Sequence, residues 1–188
     1  SNYPAWKLIK SLYISLDNHT STFISGQYLY NLLKRDIEAD VLPASKECGL
    51  SVICWSPLSG GMLTGKYYEK NQPPEGSRLA TRTELSKDKF EHWQKVSSTV
   101  IDKTIKIANK HNVTPTTVAL AWLLKNEQVA SVIVGVKRAA QIKENCQAGD
   151  WELPSDDWIS LNQDSLLNLS YPANWIEDTI ADWFDDIS

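Results

Sequence analysis

The residues with the most chemical information lie between Ile53 and Tyr67, where a short apolar strand pattern stops at an aromatic residue and becomes a loop of glycine, serine and proline. In a parallel α/β fold ligands bind at the carboxyl ends of the strands, so the ring of Trp55 is expected where a planar group could stack on it. The loop adds backbone N–H groups and the cation Lys66, which suit a phosphate. The pattern therefore predicts a site for a flat, anionic cofactor.

This segment resembles the nucleotide-binding loop of the aldo-keto reductases, where an aromatic residue followed by Ser-Pro-Leu and a glycine-rich turn lies against nicotinamide. Three other segments, 1–6, 23–36 and 132–145, carry the same resemblance in the family's order. They look like the end of the family's fifth strand, its sixth strand with the Gln-x-x-Tyr-Asn-Leu segment, and its eighth strand with the helix at the adenosine phosphate. The likeness runs from Ser1 to about Tyr171. It implies an α/β fold of the (β/α)8 TIM barrel type, with this chain as the carboxyl-terminal part.

The same resemblance implies that the reaction centre lies elsewhere. In the family an Asp, a Tyr, a Lys and a His on the first four strands form this centre, and the chain is expected to begin where strand five ends. No residue here matches any of the four, so no catalytic residue is assigned. The contexts of His19, His92 and His111 are typical of solvated surface histidines. The chain is therefore expected to supply the cofactor-binding half and to require an amino-terminal half-barrel as its partner.

Composition fits this interpretation and excludes others. The 188 residues, 42% hydrophobic and 22% charged, are typical of one globular domain. A net charge of −4 gives no support for a nucleic-acid partner, and no apolar run is long enough to cross a bilayer. Cys48, Cys54 and Cys146 lack the spacing of metal ligands, which favours small buried hydrophobic residues and a reducing, cytoplasmic compartment.

Alternating helix and strand patterns predict a parallel sheet with crossover helices. Residues 67–90 are interpreted as a long loop, and 171–188 as a tail that borders the substrate pocket. Three parallel strands cannot close a barrel, so open sheet edges are expected, and a shorter open-sheet α/β fold is the structural alternative. The predicted strands are 22–27, 51–55 and 130–135, and the predicted helices are 4–17, 36–49, 91–111, one from Pro115, 138–147 and one from Ser155.

The resemblance assigns cofactor contacts along the chain. Ser1, Asn2 and Gln27 would hold the nicotinamide carboxamide. The segment that begins at Trp55 would carry the nicotinamide ring and the pyrophosphate, and the five residues from Gly135 onward would bind the adenosine end. In isolation, the polar residues fit a hydrated strand end, a solvated loop charge or an exposed helix face, and Trp55 fits an aromatic at the edge of the core. The set is Ser1, Asn2, Gln27, Trp55, Ser56, Pro57, Leu58, Gly60, Lys66, Arg78, Gly135, Lys137, Gln141, Glu144 and Asn145.

The charge at Lys137 favours NADP over NAD, because an ammonium group can neutralise a 2′-phosphate as a point charge. The function implied by the family is NADP-dependent reduction of an aldehyde or ketone by hydride transfer, with no metal ion. Two alternatives remain: a non-catalytic nicotinamide-binding subunit, like the β-subunits of potassium channels, and an inactive fragment.

Overall fold

Helices and strands alternate along the chain in a computed structural model, which describes residues 1–70, 72–81 and 87–165. Two short 3-10 helices, Asp36–Glu38 and Ser59–Thr64, follow the first and second strands. The strands are β1 (Ser25–Leu29), β2 (Ser51–Trp55) and β3 (Val129–Val132). The helices are α1 (Ala5–Asp17), α2 (Val41–Glu47), α3 (Lys87–His111), α4 (Pro115–Leu124), α5 (Ala139–Asp150) and α6 (Ser155–Asp164).

The strands of the described chain form one parallel sheet in the order β1-β2-β3, which confirms the predicted topology. Cys54 in β2 pairs with Tyr28 on one side and with Val132 on the other. Because all the strands run in the same direction, Leu29, Trp55 and Val132 end at one edge of the sheet. The loops after these residues are therefore brought together, as ligand binding at the carboxyl ends requires.

The core lies between the sheet and its helices. Along β1 and β2, the side chains on the face toward the helices are buried: Tyr28, Val52 and Cys54. The strand residues next to them point to the other face and are half-buried. Helix α4 is buried on all sides from Thr116 to Leu123, as its continuous apolar run predicts. The helix begins at Pro115, whose missing N–H costs nothing in a first turn.

The strand boundaries differ from the sequence patterns. The predicted strand 22–27 begins and ends later, at Ser25 and Leu29, because its first residues are exposed. The predicted strand 130–135 ends earlier, at Val132. The N–H of Ile133 donates to the Cys54 carbonyl at 2.8 Å, and the residues after it are exposed and outside the ladder.

The predicted helix 36–49 is wrong as a single element. It is divided into the 3-10 turn Asp36–Glu38 and helix α2, with the backbone at Asp40 (φ −146°, ψ −43°) separating them. Pro43 falls in the first turn of α2, where a missing donor is tolerated. Gly49 follows the helix with a φ of +66°, as predicted for a residue that ends it.

The end of one predicted loop and the burial of two cysteines differ from the sequence analysis. Helix α3 starts at Lys87, so the last residues of the predicted loop 67–90 are helical, and the predicted tail 171–188 lies outside the described residues. The buried-cysteine prediction is wrong for Cys48 and Cys146, which are exposed, and Cys54 is buried, which raises the pKa of its thiol to about 12. Within the described ranges, no helix combines the length and apolar character needed to cross a membrane.

Candidate functional site

Three of the expected cofactor residues converge at the carboxyl edge of the sheet. The N–H of Asn2 donates to the Gln27 carbonyl at 2.9 Å, which joins the amino-terminal segment to β1. The indole Nε1 of Trp55 donates to Asn2 Oδ1 at 3.0 Å. This bond holds the half-buried indole by its edge. Ser1, next to Asn2, is exposed.

The loop after β2 has a backbone that L-residues rarely adopt. Ser56 and Ser59 have φ values of +53° and +47°, and Gly60 and Gly61 follow at +67° and +97°. A left-handed conformation costs a residue with a side chain roughly 1–2 kcal/mol, so the surrounding contacts must maintain it. Such residues concentrate at binding sites. The Ser56 carbonyl accepts the Ser59 N–H at 3.0 Å, which closes the turn.

The expected loop residues differ in what they present. Pro57 is buried and Leu58 packs against the core, so their side chains anchor the loop to the protein. Lys66 is exposed, with its Nζ 4.9 Å from the centroid of the Tyr67 ring. A Cβ at Gly61 would lie 2.6 Å from the Lys66 Cε atom, so glycine at this position leaves room for the lysine side chain.

Tyr67 holds the glycine-rich loop in place, a role that the sequence analysis did not assign. It is buried, its hydroxyl donates to the Gly60 carbonyl at 3.2 Å, and it accepts the N–H of Leu79 at 3.4 Å. The glycine-rich turn is thereby joined to the segment that contains Arg78, whose own side chain is exposed. Its position directly after Lys66 is the signal that could have identified it.

A groove of about 620 Å³ lies between these loops and the first half of α3. Its floor is made by the ends of β1 and β2, and α3 supplies a wall that includes the exposed side chains of Trp93 and Val96. The surface combines apolar side chains with a few polar groups, as small-molecule sites do. Of the expected cofactor residues, Trp55, Ser56 and Gly60 line it.

The expected adenosine residues lie at the start of α5, outside the groove lining within the described chain. Gln141 caps the helix, because its Oε1 accepts the N–H groups of Lys137 and Arg138 at 2.8 and 3.1 Å. Lys137 Nζ is 3.4 Å from the Gly76 carbonyl and remains exposed. Gly135 is exposed with open space around it, and Glu144 and Asn145 are half-buried on the helix.

Asn31 is a second residue that sequence reasoning quoted but did not interpret. It is 1% exposed and comes two residues after the end of β1. Its Nδ2 donates to the Ser56 carbonyl at 2.9 Å, and its Oδ1 accepts the Leu33 N–H at 2.9 Å. The side chain therefore connects the loop after β1 with the loop that carries Trp55.

His111 differs from the solvated residue expected. Its Nε2 is 2.6 Å from Asp157 Oδ2, and Lys110 Nζ is 3.0 Å from the same carboxylate. Burial alone would raise the pKa of Asp157, but the hydrogen bonds and charges of these two partners hold it below its ordinary value. This cluster joins α3 to α6.

Comparison with known proteins agrees with this geometry. The profile of the Aldo/keto reductase family matches residues 1–164. An uncharacterized oxidoreductase of Bacillus subtilis is 32% identical over 86% of this chain and 46% of its own length. A putative voltage-gated potassium channel subunit beta of Schizosaccharomyces pombe is 34% identical over 90% of this chain and 49% of its own length. An aldo-keto reductase of Pseudocercospora fijiensis is 28% identical over 77% of this chain and 51% of its own.

A parallel sheet with flanking helices and a groove at the carboxyl ends of its strands defines the (β/α) class of ligand-binding folds. Within that class, the chain belongs to the aldo/keto reductase family, a family of oxidoreductases that generally bind nicotinamide cofactors. The family fold is a (β/α)8 barrel, and the sheet is consistent with part of one. The chain spans about half the length of the curated relatives it matches.

Proposed function

We propose that the chain is the cofactor-binding part of an NADP-dependent reductase of aldehydes and ketones. The observation that carries the proposal is the arrangement of Trp55 with Asn2 and Gln27 beside the groove. The hydrogen bond between Trp55 and Asn2 fixes the indole plane, and a flat nicotinamide ring would stack on it. The cofactor supplies the hydride when bound, and the protein orients it.

The proposed contacts follow from the polar groups that remain unused. Because Asn2 Oδ1 accepts the Trp55 indole, the Nδ2 of Asn2 is left to donate to a carboxamide oxygen, with Ser1 and Gln27 beside it. Lys66 would neutralise the pyrophosphate from the exposed side of the loop. These groups add orientation and charge compensation to the stacking.

The adenosine end would lie at the start of α5. The side-chain ammonium of Lys137 is the group proposed for a 2′-phosphate, which supports NADP as the cofactor. The Nε2 of Gln141 remains for a ligand, since the cap uses its Oε1. Glu144 and Asn145, one turn further along, would accept from and donate to adenine.

An amino-terminal half-barrel is the proposed protein partner. The exposed apolar side chains of Trp6, Tyr13 and Leu16 on α1 support a surface that another element covers, and so does Ile133 next to the edge strand β3. General acid catalysis needs a positioned proton donor in reach of the substrate oxygen, and that group would come from the partner. The isolated chain would then bind cofactor without turnover.

A non-catalytic nicotinamide-binding subunit is the second candidate. It is favoured by relatives that are named as potassium channel β-subunits, including the one from Schizosaccharomyces pombe at 34% identity over 172 residues. Both candidates use the same cofactor site, so they differ in turnover and not in cofactor binding. Turnover of 4-nitrobenzaldehyde after co-expression with an amino-terminal half-barrel would favour the reductase over the regulatory subunit.

Fluorescence titration of the 188-residue chain with NADPH tests the cofactor site. We expect saturable binding, and Trp55→Ala should raise the dissociation constant by about tenfold or more, as the loss of a stacking partner does. The matched control is Trp6→Ala, which removes an exposed tryptophan outside the groove lining. Absence of saturable binding, or equal losses in the two variants, would contradict the proposed site.

A further inference from the structure

The junction between β2 and the glycine-rich loop depends on a contact from the neighbouring strand. Ser56 follows Trp55 directly and has the left-handed φ of +53°. Its carbonyl accepts a bond from within the loop, the Ser59 N–H at 3.0 Å, and one from outside it, Asn31 Nδ2 at 2.9 Å. The outside bond ties the orientation of the Ser56–Pro57 peptide group, directly after Trp55, to the segment that follows β1.

The chemistry of Asn31 matches this task because both ends of its amide are used at once. Its Oδ1 accepts the backbone N–H of Leu33, which can only donate, so the amide orientation is fixed and Nδ2 must face Ser56. Its own backbone N–H and carbonyl exchange hydrogen bonds with Lys34 at 3.1 and 2.9 Å. The residue is thus held in a closed turn before it reaches across to the second loop.

The geometry points to Asn31 as a positioning residue that holds Trp55 and Ser56 in the conformation that receives the cofactor. The inference rests on the proposed function for its ligand, but its structural part concerns the free protein. Asn31 and Ser56 both line the groove, so the hydrogen bond between them lies at the ligand surface. Loss of the donor should release the Ser56 peptide from its strained conformation and change the environment of the Trp55 indole.

Asn126, in the turn between α4 and β3, offers a matched control. Its Oδ1 accepts the N–H of Gln128, two residues on, at 3.0 Å, which is the turn that Asn31 makes with Leu33. Its Nδ2 contacts the Tyr30 hydroxyl at 3.4 Å instead of the cofactor loop. Asn126 precedes β3, at the amino end of that strand, and neither Asn126 nor Tyr30 lines the groove.

The first measurement uses the ligand-free chain labelled with 15N-tryptophan, with the Trp55 indole signal identified by its loss in Trp55→Phe. We expect Asn31→Ala to shift or broaden this signal and Asn126→Ala to leave it in place. Asn31→Asp keeps the acceptor for Leu33 and replaces the donor with an oxygen that faces the Ser56 carbonyl, so it should also move the Trp55 signal. An unmoved Trp55 signal in both Asn31 variants would overturn the inference.

The second measurement is the dissociation constant of NADPH. Loss of one hydrogen bond predicts an increase on the order of threefold to tenfold for Asn31→Ala, against less than about twofold for Asn126→Ala. Equal effects in the two variants, in proportion to their lost stability, would show that Asn31 has a merely structural role. If the wild-type chain does not bind NADPH at all, the proposed function fails, and the Trp55 signal still decides the inference.

Discussion

Two polar regions begin within a few residues of the end of β1, and they use their hydrogen bonds differently. Asn31 faces the ligand groove, where the loop backbone is strained and Lys66 is exposed. Arg35 faces the helices and is buried, with Nε and Nη2 donating to the two carboxylate oxygens of Glu38 at 2.7 Å each. The first region combines a strained loop with exposed side chains, whereas the second is a network in which one buried guanidinium donates to several acceptors.

The Arg35 network connects three elements. Its Nη1 donates to the Asn162 carbonyl at 2.9 Å and to the Ser165 hydroxyl at 2.7 Å, which fastens α6 to the loop after β1. The guanidinium carbon lies 5.4 Å from the centroid of the Trp122 ring in α4. The Tyr30 hydroxyl donates to Glu38 Oε1 at 2.6 Å, and burial, reinforced by this carboxylate, raises the pKa of Tyr30.

The groove and the Arg35 network therefore differ in whether they serve ligand binding or the stability of the fold. The groove keeps a strained loop backbone and the exposed side chains of Trp93 and Val96, and such features do not stabilise the free fold. The buried network is satisfied and should stabilise it, so changes in the two regions should affect different measurements.

The largest expected effect is on stability and comes from Arg35→Met. Removal of the buried guanidinium leaves Glu38, whose side chain is 27% exposed, without its partner, and the Asn162 carbonyl without a donor, so the free energy of unfolding should fall by about 2–4 kcal/mol. Urea denaturation followed by circular dichroism measures this change. The control is Lys34→Ala, whose ion pair with Asp36 has both side chains more than half exposed and should contribute less than about 1 kcal/mol. Similar losses in the two variants would remove the distinction between the regions.

The second effect is on binding and comes from Lys137→Ala. If the ammonium contacts a 2′-phosphate, its loss should weaken NADPH binding on the order of tenfold to a hundredfold and leave NADH nearly unchanged. Stability should not change, because the side chain is exposed. Lys143→Ala removes an exposed lysine from α5, the helix that begins two residues after Lys137, and should affect neither cofactor. Equal losses for NADPH and NADH would make Lys137 a structural residue, and the phosphate contact would have to be sought at Arg138 or Gln141.

The sequence was sufficient for the order of elements because the signals were local. An apolar run gave β2, Thr114 and Pro115 gave the start of α4, and the left-handed requirement at Gly49 gave the end of α2. The resemblance placed Trp55, Asn2 and Gln27 in one site, and the structure brings them together. These features depend on neighbouring residues or on motifs of several residues.

Contacts across long stretches of sequence could not be obtained in this way. Asn31 and Ser56 are 25 residues apart, and Arg35 and Ser165 are 130 apart. No periodicity or spacing indicates that the Asn31 side chain bonds the loop after β2, or that Arg35 is buried against α6. The capping role of Gln141 was also missed, because the residue type suits a ligand contact equally well.

A third polar region lies between α3 and α6. It tests whether a network contributes less to stability when its side chains are more exposed. Lys110 and His111 both bond Asp157, and the His111 ring lies 5.7 Å from that of Trp151. The Asp157 side chain is 11% exposed, but that of Lys110 is 59% exposed, so solvent screens part of the attraction. We expect a contribution of about 1 kcal/mol, well below that of the Arg35 network.

The sign of its pH dependence follows from the lowered pKa of Asp157. In the folded chain the carboxylate stays ionised at a pH where the unfolded chain, with the ordinary pKa of 3.8, has begun to bind a proton. The cluster therefore stabilises the fold above pH 3.8, and this stability is lost as the pH falls through the lower, folded pKa. The difference in melting temperature between the wild type and Asp157→Asn should shrink as the pH falls through the lowered pKa of Asp157. A difference that is independent of pH down to the acid transition would show that Asp157 stabilises the fold by packing alone, and the ranking of the three polar regions by exposure would lose its electrostatic basis.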